Sequence, residues 1–477
     1  MRMDSTQNPL FTGPDPPADT NYDFYLFDYQ NPDEITIFGQ TPSVVEKGPY
    51  RWKEQDQKGS VEFGPGNKDI NYETSKTYVF DEENSGGKYD DKIVLPNLSM
   101  ATMSRLLFEN YPILNDTQRT LANLTTLFLG VYPFTQVTMN EIIYVGYTDG
   151  LLDFLNSDFQ KQLKNAFGNI LGFDPPDIKL LGFFAGYNHT ADGNYTAHTG
   201  QADYKKVGLI QKWQNSSTLD FWKSKDANDL SETTDGALSG SYLEKTDLNL
   251  FQSFLCRKFK LNYVEEETIE GISSYKYAFD PDNYNPYNSK FSGYLYDNDE
   301  QINYFPNWTL NSTDTTHNEF PPGFIQQKCI PGKLDRLPFV AFGSQPHFLN
   351  SPEQVQKSII GLSPNKELHD MGEFNIQPTL GSALQANVRT QLNIAMHQTD
   401  HITSLSHSIA AILPAFWLHT SVKLHPYAYK FIRTSTVTVP KIAMFAGIGI
   451  GVAALLCIVL LIVLLVVSRR KEASARL

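Results

Sequence analysis

The sequence predicts an α+β chain that is rich in β-strands and ends in one transmembrane helix. Three observations support this class: short apolar runs separated by turn residues, helical spacing in residues 97–171, and an uncharged apolar run at residues 442–467. Composition agrees, because 41% hydrophobic and 13% aromatic residues suit a folded, strand-rich body. We expect residues 1–441 to form that body, without a linker that marks a second domain.

Strands are expected on both sides of the helical segment. Residues 1–20 form a polar, Pro-rich tail. From Tyr22 to Val94, the runs "FYLFDY", "EITIFG" and "KTYVF" are separated by Asn-Pro, Gly-Pro and Gly-Gly turn signals. Strands resume after Asp177 and continue to about Thr438, with loops rich in Asn, Gly and Pro.

Amphipathic helices are expected between residues 97 and 171. "LSMATMSRLLFENY" and "TQRTLANLTTLFLG" have helical spacing, and Asp116 is a candidate N-cap for the second. A third segment ends at Gly172 and places its apolar residues on one stripe: Leu152, Leu155, Phe159, Leu163, Phe167 and Ile170. Such a stripe usually packs against a core, and contact with a ligand is the alternative.

Residues 442–467 are predicted to cross a membrane. At about 1.5 Å per residue the run is about 39 Å long, which spans a hydrocarbon core of about 30 Å with tilt. Arg469, Arg470 and Lys471 follow it. Residues 468–477 are therefore expected to be a cytoplasmic tail, with the body outside the cell or in a lumen.

A stripe of small residues within the span suits helix packing. Ala443, Gly447 and Gly451 are spaced four apart, which would let a second helix approach closely and is compatible with a homo-oligomer. Small residues that face lipid are the alternative. Gly447, Gly449 and Gly451 resemble a nucleotide-binding loop only superficially, because they lie inside the span.

Two features of the sequence predict opposite topologies. The polar N-terminus shows no signal peptide and no first span, and a chain with only a C-terminal span inserts as a tail anchor with its body in the cytosol. N-glycosylation sequons favour a body outside the cytosol instead. Their asparagines all lie between residues 97 and 311: Asn97, Asn115, Asn123, Asn188, Asn194, Asn215, Asn307 and Asn311.

The stretch "NHTADGNYTAHTG", residues 188–200, supports two interpretations. His189, Asp192 and His198 are ligand types for a metal or catalytic site. The same stretch contains two sequons around an Asp192-Gly193 turn signal, which indicates a glycosylated loop. No further cysteine or acidic residue is spaced to complete a metal site.

Several classes of function are disfavoured. The G-x-S-x-G, H-E-x-x-H, Walker A and strand-borne G-x-G-x-x-G motifs are absent, so we assign no catalytic residue, metal ligand or cofactor. "HQTDH" at 397–401 is a weak metal motif, because the preceding "RTQLNIAM" alternates like a strand. A net charge of −14, without a basic tract in the body, disfavours nucleic acid as a partner.

The cysteines leave two alternatives open. Cys256 and Cys329 could close a loop worth roughly 4 kcal/mol in an oxidising compartment, or could remain two buried thiols. Cys457 lies within the predicted span.

Five short motifs follow one another along the chain: "FDYQNPDEI" (27–35), "EKGPYRWKE" (46–54), "YNHTADGNYTAHTG" (187–200), "IEGISSYKY" (269–277) and "SQPHFLNSP" (344–352). In this order, and followed by a C-terminal span, they resemble the class B scavenger receptors, which include the platelet fatty-acid translocase and the lysosomal integral membrane protein. The resemblance covers nearly the whole chain.

The resemblance implies an antiparallel β-barrel-like ectodomain with a helical bundle at its apex, held between two membrane spans. It implies a hydrophobic tunnel that carries fatty acids or sterols between the apex and the bilayer, and a disulfide between Cys256 and Cys329. The family's N-terminal span has no counterpart in this sequence, which an alternative start, an isoform or an incomplete gene model would explain.

The resemblance also decides between the two interpretations of residues 188–200. It favours a glycosylated β-turn at Asp192-Gly193 over a catalytic site. By the same argument, His347 is expected to be a packed residue of a family strand and not a base.

The function implied is that of a cell-surface receptor, not an enzyme, that binds lipids or lipoprotein particles and passes lipid to the membrane. A protein-binding receptor that uses the apex helices is the alternative. Candidate ligand contacts at the apex are Leu106, Leu107, Phe108, Leu124, Phe128 and Phe159.

Charge and sorting signals refine this expectation. The only basic residues in 97–135 are Arg105 and Arg119, so electrostatic capture of anionic particles lacks a basis. The tail "SRRKEASARL" has no dileucine signal, which favours the plasma membrane over the lysosomal membrane.

Overall fold

The computed structural model describes residues 18–110, 116–158, 178–298, 301–310, 320–399 and 402–474. The strands are β1 (Ala18–Tyr29), β2 (Val44–Phe63), β3 (Asp69–Phe80), β4 (Lys92–Pro96), β5 (Phe134–Thr138), β6 (Thr190–His198), β7 (Ile210–Trp213), β8 (Leu248–Gln252), β9 (Arg257–Ile269), β10 (Ile272–Phe279), β11 (Phe324–Gln326), β12 (Ala341–Ser344), β13 (Gly372–Gln377), β14 (Ser382–Met396) and β15 (Ala411–Leu424). The α-helices are α1 (Pro32–Phe38), α2 (Leu98–Asn110), α3 (Asp116–Phe128), α4 (Gly150–Asn156), α5 (Lys225–Asn228), α6 (Glu353–Gln356), α7 (Lys366–His369), α8 (Pro426–Arg433) and α9 (Val439–Ser474).

A large antiparallel sheet dominates the body, which confirms the predicted strand-rich α+β class. Its main order is β7-β6-β3-β2-β1-β15-β14-β13-β10-β9-β8, with β12 paired to β14 and β11 to β12. The sheet is not a closed barrel, because β7 and β8 lie at its two edges without pairing to each other in the described chain. The expectation of a barrel-like sheet therefore holds for the antiparallel pairing but not for closure.

The register of the central strands places even-numbered side chains on one face. Tyr22 of β1 lies opposite Trp52 of β2 and Thr420 of β15. Glu54 of β2 lies opposite Tyr78 of β3. Side chains alternate between the faces of a strand and directly paired residues share a face, so these residues point to the same side of the sheet.

The expectation of a strand at "EITIFG" is wrong, because these residues belong to α1. Pro32 occupies the first turn, Asp33 and Glu34 add acidic residues beside the helix N-terminus, and Gly39 caps the other end in the left-handed conformation. These start and stop signals outweigh the alternation of two isoleucines, and only Ile35 is buried.

The predicted helical region contains more than helices. Helices α2 and α3 confirm the first two segments, with α3 beginning at Asp116. Strand β5 pairs with β4 and is followed by a π-helix at Glu141–Val145. The third predicted helix is only α4 in the described chain, with Asp149 as its N-cap, and residues 159–177 lie outside the described residues.

The C-terminal helix begins earlier than predicted. Strands end at Leu424, and α8, a π-helical turn at Thr434–Thr438 and α9 follow without a break. Pro426–Arg469 is long and apolar enough to cross a membrane. An added Cβ at Gly447 or Gly451 would meet nothing within 4 Å, so packing of this stripe against a second helix stays a prediction.

Asp192 and Gly193 do not form the expected turn but a bulge within β6. Glu73 of β3 pairs with Asn194, whereas Ser75 pairs with Ala191, so β6 carries one extra residue between these two pairs. Gly193 has φ +109, and a Cβ there would lie 2.5 Å from Gln214 Nε2. Only glycine fits this bend, and the bulge changes the direction of the neighbouring Asp192 side chain.

The disulfide that the resemblance implies is present beside the bulge. Cys256 and Cys329 are bonded and fully buried. Trp222 Nε1 donates a hydrogen bond to the Cys256 carbonyl at 2.8 Å. The bond joins the loop before β9 to the loop after β11.

We expect Gly193→Ala to lower the stability of the body by about 2–3 kcal/mol, because strain at positive φ adds to a collision with Gln214 and Trp213. Gly66→Ala is the matched control, since Gly66 has φ +69 but no atom within 4 Å of an added Cβ. Thermal unfolding of the purified full-length proteins measures both. Equal midpoints for the two variants would contradict the steric argument.

Candidate functional site

A cavity of about 1170 Å³ lies against the inner face of the large sheet. Its lining reaches from Leu98 and Thr102 of α2 to Ala18 and Leu424, which are paired at the ends of β1 and β15. Leu424 is two residues from the start of α8 and the membrane helix. The cavity therefore connects the helical region with the membrane-proximal end of the sheet.

Apolar and aromatic side chains form most of the cavity wall. The even-numbered residues of β14 and β15 contribute aliphatic and small side chains, including Val388, Leu392 and Val422. Aromatic residues from six separate segments complete the wall, including Tyr72, Phe184, Phe254, Phe279, Tyr284 and Phe416. Such a surface holds apolar molecules by excluding water from both partners.

Two charged residues interrupt this wall on β2 and β3. Lys76 Nζ lies 3.3 Å from Glu54 Oε2, and the two side chains are only 16% and 4% exposed. Lys76 Nζ also lies 5.7 Å from the centre of the Phe254 ring. Because charge is expensive to bury, the attraction between these two groups helps to offset the cost of placing them in the wall.

A third buried charge, Asp192, faces the same cavity because of the bulge in β6. Its Oδ2 accepts hydrogen bonds from Tyr195 Oη and Ser253 Oγ, both at 3.3 Å. Its Oδ1 has no hydrogen-bond partner among the described residues. Burial raises the pKa of Asp192 above its ordinary value, and the nearby Lys76 ammonium opposes that shift.

Three tyrosines surround these charges. Tyr78 stacks on Tyr144 with ring centres 4.4 Å apart and meets Tyr22 edge-on at 5.5 Å. Burial raises the pKa of all three hydroxyls well above the ordinary value of tyrosine. They are therefore neutral at physiological pH and add hydrogen-bonding capacity without charge.

A second polar cluster lies elsewhere in the body, where buried rings meet the partly exposed carboxylate of Glu46. Glu46 accepts hydrogen bonds from His347 Nε2 at 2.6 Å and Trp417 Nε1 at 2.7 Å. Burial alone would raise the pKa of Glu46, but these hydrogen bonds lower it below its ordinary value. His347 is packed as expected, although in a 3₁₀ turn (Pro346–Phe348) after β12 and not in a strand.

His369 completes this second cluster by stacking on His347, with ring centres 4.2 Å apart. Its Nδ1 accepts a hydrogen bond from the Asn365 backbone at 3.0 Å. Burial, reinforced by the neighbouring His347, lowers the pKa of His369 to about 4. The ring is therefore neutral over the physiological range, and the cluster joins α7 to β15.

The predicted apex contacts are partly visible in the structure. Leu124 and Phe128 lie on α3 and are 55% and 91% exposed, respectively. The side chains of Leu106, Leu107 and Phe108 on α2, and the whole of Phe159, lie outside the described residues. None of these six residues lines the cavity in the described part of the chain, and a role in ligand contact stays a prediction.

The predicted glycosylation sites differ in exposure. Asn215 and Asn307 are exposed, whereas Asn123, Asn188 and Asn194 are partly buried. Asn97 is 4% exposed, and its Oδ1 accepts a hydrogen bond from Ser99 N at 2.9 Å at the start of α2. The position of Asn97 disfavours a glycan. Asn115 and Asn311 lie outside the described residues.

Sequence reasoning did not identify Glu54 and Lys76 as cavity residues. On β2, Glu54 comes two residues after Trp52, and on β3, Lys76 comes two residues before Tyr78. Each charged residue therefore shares a face of the sheet with an aromatic residue of its own strand. A charged residue among aromatic residues that all face the interior would have indicated a cavity residue. This signal can be recognised only when the face to which each residue of the strand points is known.

Comparison with known proteins places the chain in context. The sequence pattern of the CD36 family matches residues 9–465. The chain is 30% identical over 444 residues to an uncharacterized protein of Caenorhabditis elegans, covering 90% of this chain and 83% of that protein. It is 26% identical over 441 residues to scavenger receptor class B member 1 of Mus musculus, covering 91% and 77%. It is 24% identical over 456 residues to lysosome membrane protein 2 of Homo sapiens, covering 91% and 83%.

We expect the stability of the body to fall between about pH 6.5 and pH 4, and His369→Gln to weaken that fall by about 1–3 kcal/mol. The unfolded imidazole takes up a proton near pH 6.5, but the folded His369 does so only near pH 4. The unfolded state therefore binds more protons across this window, and acid favours it. Glutamine keeps an acceptor for Asn365 and does not titrate.

Unfolding midpoints of the full-length protein at several pH values test this prediction. His407→Gln is the control, because His407 is exposed. If His369→Gln and the wild type lose stability in parallel as the pH falls, the buried imidazole does not contribute to the acid sensitivity.

Proposed function

We propose that this chain, which belongs to the CD36 family, is a membrane-anchored receptor that binds lipids in the cavity of its β-rich body and passes them to the bilayer. Membership of this family supports a lipid-binding receptor in general. The observation that carries the finer proposal is the cavity itself, whose lining runs from the helical region to the residues that precede the membrane helix.

The size and chemistry of the cavity support lipid binding. Its volume of about 1170 Å³ exceeds the roughly 300–1,000 Å³ of ordinary small-molecule pockets. Burial of apolar surface contributes about 25 cal/mol per Å², so an alkyl chain or a sterol gains affinity without specific polar contacts. We therefore propose fatty acids, sterols and lipids delivered by lipoprotein particles as candidate ligands.

The position of the cavity supports transfer as well as binding. Strand β15 lines the cavity through Phe416, Leu418 and Thr420 and leads through α8 into the membrane helix. Ala18 and Leu424 line the end of the cavity nearest to α8. A lipid at this end is next to the segment that enters the membrane, which favours exchange with the bilayer.

A protein-binding receptor is the second candidate, and one surface of α3 favours it. Leu124, Leu127 and Phe128 are 55%, 42% and 91% exposed, and Tyr132 in the following loop is 61% exposed. Grouped apolar side chains of this kind are frequent at protein interfaces. Phe128→Asp would reduce capture of a protein or particle under this candidate, while direct loading of a small lipid would continue.

The proposed receptor lies in the plasma membrane with its body outside the cell and its C-terminus in the cytoplasm. The sequons and the disulfide between Cys256 and Cys329 support this orientation, because both belong to an oxidising, glycosylating compartment. The lysosomal membrane is the less favoured location, although lysosome membrane protein 2 is among the similar proteins.

We expect Thr420→Phe to reduce lipid binding by at least about tenfold. Thr420 lines the cavity between Tyr22 and Val388, so the added ring would occupy space that a lipid needs without displacing a packed side chain. Binding of radiolabelled cholesterol and palmitate to the full-length protein in detergent measures the effect.

Ser421→Phe is the matched control, because Ser421 is the next residue of β15 and points to the opposite face. It should bind both probes as the wild type does. Unchanged binding by a folded Thr420→Phe protein would exclude the cavity as the lipid site.

We expect glycans at Asn215 and Asn307 and none at Asn97 when the chain is expressed in eukaryotic cells. The first two side chains are exposed, whereas Asn97 is buried in the start of α2. Asn215→Gln and Asn307→Gln should each remove one glycan from the mass released by glycosidase, and Asn97→Gln should remove none. A wild-type chain that glycosidase does not shift would place the body in the cytosol and refute the proposed orientation.

A further inference from the structure

One carboxylate oxygen on the cavity wall is buried without a partner. Asp192 is 8% exposed and lines the cavity, and its Oδ1 has no hydrogen-bond partner among the described residues. Its other oxygen already accepts from Tyr195 and Ser253. A buried acceptor without a hydrogen bond costs free energy. A ligand that donates a hydrogen bond to Oδ1 removes this cost and thereby gains binding free energy.

The acceptor is held in place by its surroundings and cannot easily turn to find a protein donor. The Asp192 carbonyl accepts a hydrogen bond from Trp213 Nε1 at 3.3 Å. A Cβ added to Gly332 would lie 3.4 Å from the Asp192 Cα, so the opposite loop packs closely on the backbone. Together with the bulge at Gly193, these contacts fix the backbone of Asp192, and the hydrogen bonds from Tyr195 and Ser253 to Oδ2 hold its carboxylate.

The charges nearby decide which kind of donor fits. Around Asp192, Glu54 contributes a second carboxylate, and the one ammonium, Lys76, already pairs with Glu54 at 3.3 Å. Other charged residues also line the cavity: Lys179, Asp235, Lys333 and Arg389. A fatty-acid anion has no proton to donate to Oδ1, and beside Asp192 and Glu54 it would add a third carboxylate and meet repulsion. A protonated amine would have to shed its hydration shell to cross the apolar wall, whereas a hydroxyl loses much less.

We infer that Asp192 accepts a hydrogen bond from the hydroxyl of a bound lipid, and that the cavity selects lipids with a hydroxyl head group over fatty-acid anions. Sterols and long-chain alcohols carry such a group. The inference rests on the proposed function and narrows it, because it names the head group that the cavity recognises and the residue that recognises it.

Three probes with an unbranched sixteen-carbon chain test the inference on the purified full-length protein in detergent: radiolabelled 1-hexadecanol, hexadecyl methyl ether and hexadecanoate. The ether keeps the oxygen but has no donor, and hexadecanoate carries the negative charge. We expect hexadecanol to bind about tenfold more tightly than either of the others, as one hydrogen bond to a charged acceptor implies.

Asp192→Asn should abolish this preference. Asparagine can still accept from Tyr195 and Ser253, but it then turns its amide N–H towards the cavity and donates to an alcohol and an ether alike. The ratio of the hexadecanol and ether affinities should fall from about ten to about one. Asp235→Asn is the control and should keep the ratio near ten, because Asp235 also lines the cavity but its two oxygens already accept from Tyr72 Oη and Ala237 N.

A second variant tests the charge argument if Asp192→Asn does not fold. Glu54→Gln removes one carboxylate and leaves Asp192 in place, so hexadecanoate should bind several-fold more tightly while the alcohol-to-ether ratio stays near ten. Hexadecanoate affinity that does not rise would show that the cluster does not select against anions.

The possible outcomes separate this inference from the proposed function. Binding of all three probes with equal affinity by the wild type, or a tenfold preference that survives in folded Asp192→Asn, would overturn the inference and leave lipid binding standing. Binding of none of the probes would overturn both.

Discussion

The register between β1 and its two neighbours is the constraint on which the rest of the body depends. Tyr22 faces Trp52 on one side and Thr420 on the other, and this pairing fixes the face of every strand in the centre of the sheet. A shift by one residue would exchange the two faces and send Glu54 and Lys76 to the outside. The cavity wall forms because the alternating side chains of several paired strands point to the same face of the sheet.

The cavity wall combines a mostly apolar surface with a few buried charged side chains, two features that seldom occur together. Most of the wall is apolar and suits a ligand that needs no directional contact. The Glu54–Lys76 pair and Asp192 add a small polar region whose groups are desolvated, which makes each of their interactions stronger and each missing partner more unfavourable. Under the proposed function, the apolar wall supplies affinity and the charged residues supply selectivity.

The sequence predicted the class of fold because its strongest signals are local. Alternation marked most strands, helical spacing marked α2 and α3, and an uncharged run marked the membrane helix. It failed at "EITIFG", where Pro32 and the Gly39 cap outweigh a strand-like pattern, and at Asp192-Gly193, where a turn dipeptide serves as a bulge. In both cases the local pattern suits two structures. Helix start and stop signals decide at the first site, and pairing with β3 decides at the second.

The candidate site was harder to predict for a different reason. An apolar side chain that lines a cavity and one that packs in a core have the same composition and the same periodicity, so no pattern distinguishes them. The Cys256–Cys329 bond likewise came from family resemblance, since spacing left free thiols equally open. Asp192 was noticed as a polar residue in a suggestive stretch, but its role depends on a bulge that only the pairing with β3 reveals.

The pairing of β1 with β15 also has a consequence for the order of folding. Leu26 lies opposite Phe416, so a strand near the start of the body finds its central partner only after nearly all of the body has been synthesised. Until then β1 and β2 present an unpaired edge and an uncovered apolar face for the whole duration of translation. Contacts this distant in sequence form slowly, and such exposed edges invite aggregation. We therefore expect the nascent chain to be prone to aggregation until β15 is made, just ahead of the helix that is apolar enough to cross the membrane.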